Sequence, residues 1–269
     1  MMSRQRAQKA EDKLTRQEQS YERNQKMLTK DFSNDRAVLE EVFDRSTLMV
    51  VYEFMNKGII NEIHGVVRAG KESRVYWGKT KEGKELAIKI YLVVSAEFRK
   101  GLTKYIEGDP RFKGVKHDTR SLIFAWAQKE FKNLELASRA GVKVPKPIAV
   151  KNNVLVMEFI GLNGKSAPSL KEKTPKNPEK LYETLLIYLE RLYKKAELVH
   201  GDLSEYNIMV LRGRPVIFDV SQAVPLVHPM ADLLLRRDLA NLNRYFARLA
   251  IKVLSIEESY RRVTSRGES

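Results

Sequence analysis

The stretch Leu198–Val220 reads LVHGDLSEYNIMVLRGRPVIFDV, and it places two acids and an amide where phosphoryl transfer needs them. Asp202 is followed five residues on by Asn207, and Asp219 lies twelve residues further. The interval holds two short β-type runs, Ile208 to Leu211 and Pro215 to Phe218, with Arg212-Gly213-Arg214 as the turn of a hairpin. Such a hairpin returns Asn207 and Asp219 to one end of the ribbon. Two oxygen-bearing side chains over one gap suit Mg²⁺, a hard cation that takes one or two carboxylates and keeps positions for water and phosphate. Asp202 then stands where it can accept a hydroxyl proton. The same residues are equally compatible with a turn cap and a strand end that do no chemistry. What decides is whether a nucleotide-binding lobe stands upstream in the right order.

Upstream, from Ile59, the apolar period changes to two. GIINEIHGVVRAGKESRVYWGKTKEGKELAIKIYLV reads as three strands, Ile60 to Val67, Ser73 to Gly78 and Glu85 to Val93, with Glu82-Gly83 in the second turn. The first turn carries Gly70, Lys71 and Ser73, donors that can face a phosphate tail; taken alone it is equally an ordinary hairpin turn. Lys89 sits in the third strand among Ala87, Ile88 and Ile90, so its ammonium wants an anionic partner. A helix from Thr119 to Ala140, stopped by Gly141, offers Glu130 as that partner. Pro147 to Val150 and Val154 to Phe159 follow as a hairpin turning at Asn152-Asn153. The exit of its second strand, Met157 to Ile160, leads into GLNGKSAPSLKEKTPKNP, the Gly, Ser and Pro composition of a linker.

The remaining chain supports this core. Residues 1–36 form a charged arm without sustained period. Val38, Leu39, Val42 and Phe43, then Leu48, Val51, Tyr52 and Met55 after a cap at Ser46, predict two short helices that cover the back of the sheet or form a small binding module, the first favoured because they are too short to hold a core alone. The long connection over 95–118 is basic, with Phe98, Tyr105 and Phe112 interleaved. It reads either as a lid that orders on binding or as an RNA contact, aromatics stacking on bases while cations meet phosphates. Leu181, Leu185, Leu189 and Leu192 mark a helix from Pro178 to Lys195. Another follows over Ala231 to Ala250, and the basic end SYRRVTSRGES is expected to be mobile.

With 269 residues the chain can bury a sizeable core. It has no cysteine and four scattered histidines, which excludes disulfides and thiolate metal sites. No apolar run approaches a membrane span, and a cytoplasmic location is expected. The net charge of +15 and the pI near 9.8 point to a polyanionic partner such as RNA, or to the heavily charged surface of a heat-adapted protein.

Taken in order, these parts resemble a protein kinase from about residue 59 to 254, and specifically the type-one, archaeal branch of the RIO family of atypical serine/threonine kinases. GKESRVY stands for the glycine loop, LAIKI for the strand lysine, HGDLSEYN for the catalytic loop and DVSQAV for the metal loop, followed by HPMA and RRDLANLNRYF. The resemblance implies an α+β, two-lobed fold. Its N-terminal lobe would carry a twisted antiparallel sheet with one main helix, and its C-terminal lobe would be reduced and mostly helical. The divisions are 1–58 (arm and extra helices), 59–160 (N-terminal lobe with a flexible insertion, 95–118) and 161–269 (C-terminal lobe). It also implies ATP held by Gly70, Lys71, Ser73, Val75, Lys89, Glu130, Met157, Glu158 and Ile160, with Mg²⁺ or Mn²⁺ on Asn207 and Asp219. Asp202 would be the catalytic base and Asp219 a possible phosphate acceptor. The implied activities are serine/threonine kinase and ATPase, in a monomer acting on the small-subunit pre-ribosomal particle or its RNA. The competing reading is an RNA-associated assembly factor whose ATP turnover only times release. Gly201 replaces the usual arginine, and only fifty residues follow Asp219, leaving little room for an activation loop or a peptide groove.

Overall fold

A computed structural model describes residues 44–92 and 102–265. The N-terminal lobe is built on a five-stranded antiparallel sheet in the order β1-β2-β3-β5-β4. Its strands are β1 (Glu62–Ala69), β2 (Ser73–Lys79), β3 (Glu85–Tyr91), β4 (Pro147–Lys151) and β5 (Val154–Glu158). Helix α1 (Arg45–Asn56) packs on one face and α2 (Thr119–Arg139) on the other. The two-residue period of β3 sorts its side chains between these faces. Leu86, Ile88 and Ile90 join Val154 and Val156 of β5 against α1, whereas Ala87 and Tyr91 join Leu155 and Met157 on the α2 side. Lys89 follows the second set, so strand alternation alone delivers its ammonium to the cleft face. Side chains as fully covered as Ile88, Val154 and Leu155 contribute about 1.5–3 kcal/mol each.

Helix α1 behaves as expected in covering the sheet and in ending at Gly58, which has a φ of +70°. Its cap differs. Asp44, not Ser46, is the N-cap, its carboxylate accepting from Thr47 N–H at 2.8 Å, while Ser46 donates its hydroxyl to Asp44. The earlier helix predicted around Val38 to Phe43, and the arm before it, fall outside the described residues.

From residue 102 onward the connection after β3 is packed structure, not a flexible insertion. A short helix over 102–106 and a 3-10 turn (Pro110–Phe112) bury Leu102, Tyr105 and Phe112, and both rings lie about 6 Å from that of Trp126 on α2. Tyr105 and Phe112 are therefore core residues and are not available to stack on bases; Phe98 lies outside the described residues. The expectation failed there because aromatic residues among cations look alike in sequence whether the rings face solvent or a neighbouring helix.

The chain crosses to the second lobe through a small hairpin, β6 (Gly161–Leu162) and β7 (Lys165–Ser166), and a linker. Helix α3 (Pro178–Lys194) buries Leu181, Leu185, Leu189 and Leu192 and leads into β8 (Leu198–Val199). The hairpin of β9 (Ile208–Leu211) and β10 (Arg214–Ile217) turns at Arg212 and Gly213, with φ of 50° and 77°, the left-handed pair that suits a twisted two-residue turn. A bridge strand β11 (Val224–Pro225) pairs with β8 before α4 (Ala231–Ala247). The basic end is a further helix, α5 (Ile256–Thr264), up to the last described residue, 265. It packs on α3 and α4, opens with a reciprocal Ser255–Glu258 capping box and buries Val263. The expectation of a mobile tail is thus corrected for residues 259–264. The architecture matches the expected α+β, two-lobed arrangement with an antiparallel sheet in its N-terminal lobe.

Candidate active site

The β9–β10 hairpin does what its spacing predicted. The ladder runs from Arg214 opposite Leu211 to Ile217 opposite Ile208, and continues with Phe218 N–H donating to the Asn207 carbonyl at 3.1 Å. Asn207 and Asp219 thereby share one end of the ribbon. On the other lobe, Lys89 Nζ donates to Glu130 Oε1 at 2.8 Å and lies 3.5 Å from Asp219 Oδ1. Glu130, fully buried on α2, also accepts the hydroxyl of Tyr91. A lysine, a helix glutamate and a loop aspartate, distant in sequence, meet at one point between the lobes.

They meet at the edge of a cavity of about 360 Å³. Gly70, Lys71, Ser73, Val75, Lys89, Met157, Glu158, Ile160 and Asp219 line it, nine of the residues singled out from sequence. The hairpin turn at Gly70, closed by Gly70 N–H donating to the Ser73 carbonyl at 2.9 Å, forms its roof. Val75, Ala87 and Met157 supply apolar wall of the kind a purine face needs. At the strand exit the Ile160 carbonyl accepts from Ala167 N–H, while the Ile160 N–H has no backbone partner among the described residues. Glu130 stands behind Lys89, outside the cavity wall. Asp202 and Asn207 belong to the loop beneath. Asn207 Nδ2 donates to the Asp202 carbonyl at 2.6 Å and its Oδ1 accepts from Ser204 N–H at 2.9 Å, so the amide shapes the loop and still keeps one oxygen lone pair.

Charge in the cleft is set by these neighbours. Burial alone would raise the Asp219 carboxyl, but the Lys89 ammonium and the Ser221 hydroxyl and N–H overcome it and hold it down at about 2. The side chain remains 40 % exposed, toward the cleft. An ionised, partly open carboxylate and an amide oxygen borne at the same end of one hairpin fit Mg²⁺, with Asp219 and Asn207 as the residues that would hold it. Burial pulls the Lys89 ammonium down while Asp219 and Glu130 push it up, and the result is above its ordinary value, a cation at neutral pH. Burial raises the Asp202 carboxyl above its ordinary value, Arg237 opposing and Asp219 adding.

Several supporting groups were not visible in the sequence. Asp238 of α4, buried, accepts Gly201 N–H at 2.7 Å and Leu203 N–H at 2.8 Å, gripping the backbone on both sides of Asp202. Arg237 donates to the Gly201 carbonyl, and to Tyr105 Oη at 3.1 Å. It thus brings a guanidinium from α4 to the loop whose own position 201 lacks one. Asn133, one turn beyond Glu130, donates to the Val220 and Ala223 carbonyls at 2.8 and 3.1 Å, and Arg111 Nη1 donates to Asn133 Oδ1 at 2.6 Å. Arg111 also pairs with Asp109 and reaches the Ala223 carbonyl. Helix α2, the segment over 102–118 and the Asp219 loop are thereby tied together. Glu72, Met209, Phe218 and Gln222 also line the cavity. Met209 alone carried a signal, two residues beyond Asn207 and so on the same face of β9.

Residues 74–259 match the RIO domain. Rio1 serine/threonine-protein kinases are similar along most of the chain. That of Haloferax volcanii is 44% identical over 78% of this chain and 72% of its own, and that of Methanocaldococcus jannaschii 40% identical over 87% and 80%. The human kinase is 39% identical over 86% of this chain, which spans only 41% of the human one. Among solved structures, the Rio2 kinase of Chaetomium thermophilum in complex with ADP/Mg²⁺ and phosphoaspartate superposes with a TM-score of 0.63 at 21% identity, over 82% of this chain and 67% of that one, which speaks to the fold. A RIO domain over residues 74–259 and relatives of this identity place the chain in the RIO family of kinases.

Proposed function

We propose that the cleft binds Mg·ATP and transfers its γ-phosphoryl group to a serine hydroxyl, including one of its own, or to water. The observation that carries this is the convergence of Lys89, Glu130 and Asp219 at the edge of a purine-sized cavity. Adenine lies between Val75, Ala87 and Met157 and pairs with the Glu158–Ile160 strand exit. The triphosphate runs under the Gly70–Ser73 turn to Lys89, which Glu130 keeps aimed at the α- and β-phosphates. Mg²⁺, for which Mn²⁺ can substitute, supplies charge neutralisation across the phosphates when held by Asp219 and Asn207. Asp202 orients the attacking hydroxyl and takes its proton. Most of the rate comes from positioning and electrostatics rather than from covalent chemistry.

The phosphoaspartate named in the Chaetomium Rio2 complex supports a second use of the site. An Asp219 oxygen attacks the γ-phosphorus, the bond to ADP breaks, and water later releases phosphate and restores the carboxylate. In that mode the protein is an ATPase switch, a cytoplasmic monomer bound to the small-subunit pre-ribosomal particle or its RNA. One feature favours this over a kinase of many protein substrates: the +15 charge, which suits a polyanionic partner.

Asp202→Ala tests the assignment. Calorimetry should show Mg·ATP binding close to that of the unaltered protein, because Asp202 lies outside the cavity wall, while phosphate transfer and release fall by 10²-fold or more, the order expected when a general base is removed. Retained turnover in the purified variant refutes the role of Asp202. Failure of the unaltered protein to bind Mg·ATP refutes the function.

A further inference from the structure

Behind the strand exit lies a second, larger groove, of about 790 Å³, between the β6–β7 hairpin, the linker before α3 and the β9–β10 turn. Six cations line it: Lys165, Lys173, Lys176, Lys180, Arg212 and Arg214. No carboxylate does. None of the six takes part in an ion pair among the described residues, although cations elsewhere on the surface are paired repeatedly, as Arg248 is with Glu205 and Arg262 with Glu183. Six unpaired like charges around one concavity repel each other, with Glu179 in the first turn of α3 the nearby acid in sequence. The N-terminus of α3 opens into the same space, and its cap residue Asn177 makes no side-chain capping bond, which adds partial positive charge. The floor is aliphatic, with Leu162, Pro168 and Leu211 among it.

We infer that this groove seats a single-stranded RNA segment, its phosphates on the six cations and its ribose and base faces on the aliphatic floor. Charge complementarity carries the choice of occupant: a polyanion with regularly spaced charges matches a carboxylate-free cationic rim, and each neutralised phosphate releases counterions. An unpaired strand exposes its phosphates and its base faces together, which a cationic rim around an apolar floor can meet at once, whereas a duplex stacks its bases inside. Aromatic side chains are missing from its lining, so binding should depend little on base identity. Ser166 lines both this groove and the nucleotide cavity, so an RNA strand here abuts the wall of the ATP site. The inference rests on the reading of the protein as RNA-associated and names the surface responsible.

The test is fluorescence anisotropy of a short labelled single-stranded RNA with the full chain, titrated at several salt concentrations. With six phosphates neutralised, log Kd should follow log salt with a slope of about 4, roughly a 300-fold weakening between about 50 and about 200 mM salt. The triple variant Lys173→Gln, Lys176→Gln, Arg212→Gln should bind more weakly, with a slope near 2 and only about a 20-fold weakening over the same range. Neutralising Lys81, Lys84 and Lys113, exposed cations away from the groove, should leave the slope unchanged. Mg·ATP affinity and the melting temperature of each variant verify an intact fold. If the unaltered protein binds RNA and the triple variant matches it, the groove assignment fails while the RNA reading stands. If the unaltered protein binds no RNA, both fail. Displacement of bound RNA by a glutamate-rich peptide that binds more tightly overturns the inference in favour of an acidic protein segment.

Discussion

Asn133 is the side chain on which the cleft geometry depends most while touching none of the reacting groups. It makes three hydrogen bonds inside the protein: two donated to the Val220 and Ala223 carbonyls of the Asp219 loop, and one accepted from the Arg111 guanidinium. The neutral bonds are worth about 0.5–1.5 kcal/mol each and the charge-assisted one about 1.5–3 kcal/mol. Because the three share one side chain they do not sum fully, and Asn133→Ala should cost about 3 kcal/mol. For a cooperative unit of this size that is a fall in melting temperature of roughly 6–12 °C. Asn133→Asp separates stability from function. It keeps the oxygen that Arg111 needs but sets a carboxylate against two carbonyl oxygens, pushing the loop from α2 and shifting Asp219 relative to Lys89. Misplacement of about 1 Å costs up to 10²-fold in rate. Steady-state ATP turnover of Asn133→Asp should therefore show kcat down at least tenfold, with the larger effect on kcat than on KM, since the adenine wall is untouched. Wild-type kcat in a folded Asn133→Asp protein would refute the idea that this tie positions Asp219.

Lys89→Met should strip Glu130 of its cation in a fully buried setting and destabilise the fold by about 3–5 kcal/mol in denaturant titrations; adding Glu130→Gln should return much of that stability without restoring Mg·ATP binding by calorimetry. The Asp219 carboxyl, held at about 2 against an ordinary 3.8, binds its proton less readily folded than unfolded. Its stabilisation is therefore complete above about pH 4 and lost as pH falls toward 2. After allowing for 40 % solvent exposure the effect is on the order of 1 kcal/mol, and Asp219→Asn should flatten the acid-unfolding curve over that interval. Ser255→Ala removes the capping box of α5 and should cost about 1 kcal/mol, read as a small drop in melting temperature.

The strands and the residues on them were legible because β3 and β5 are short, nearly continuous apolar runs bounded by turn residues, and because Asn207 and Asp219 bracket a hairpin whose turn chemistry is explicit in Arg212-Gly213. Lys89 and Glu130 could be paired because each belongs to an element with a strong pattern of its own. The tie through Arg111 and Asn133 left no such mark. Its members are polar residues of ordinary type, and their partners are backbone carbonyls at 220 and 223, whose direction only the assembled fold determines. Asp238 and Arg237 escaped for the same reason, reaching a loop more than thirty positions earlier in the chain. Helix α5 was missed despite an available signal, the Ser255-x-x-Glu258 box, because its charged composition outweighed the single buried Val263 in a reading by hydrophobicity.

The bracing of the Asp219 loop by the segment over 102–118 bears on how such an enzyme can be controlled. Where other phosphotransferases keep a resting posture by letting a loop swing away from its helix, here the swing would have to break a half-buried guanidinium clamp. Idling by disassembly of the catalytic apparatus is therefore expensive, and restraint has to come from outside: from what blocks the mouth of the cleft, or from how slowly spent nucleotide departs.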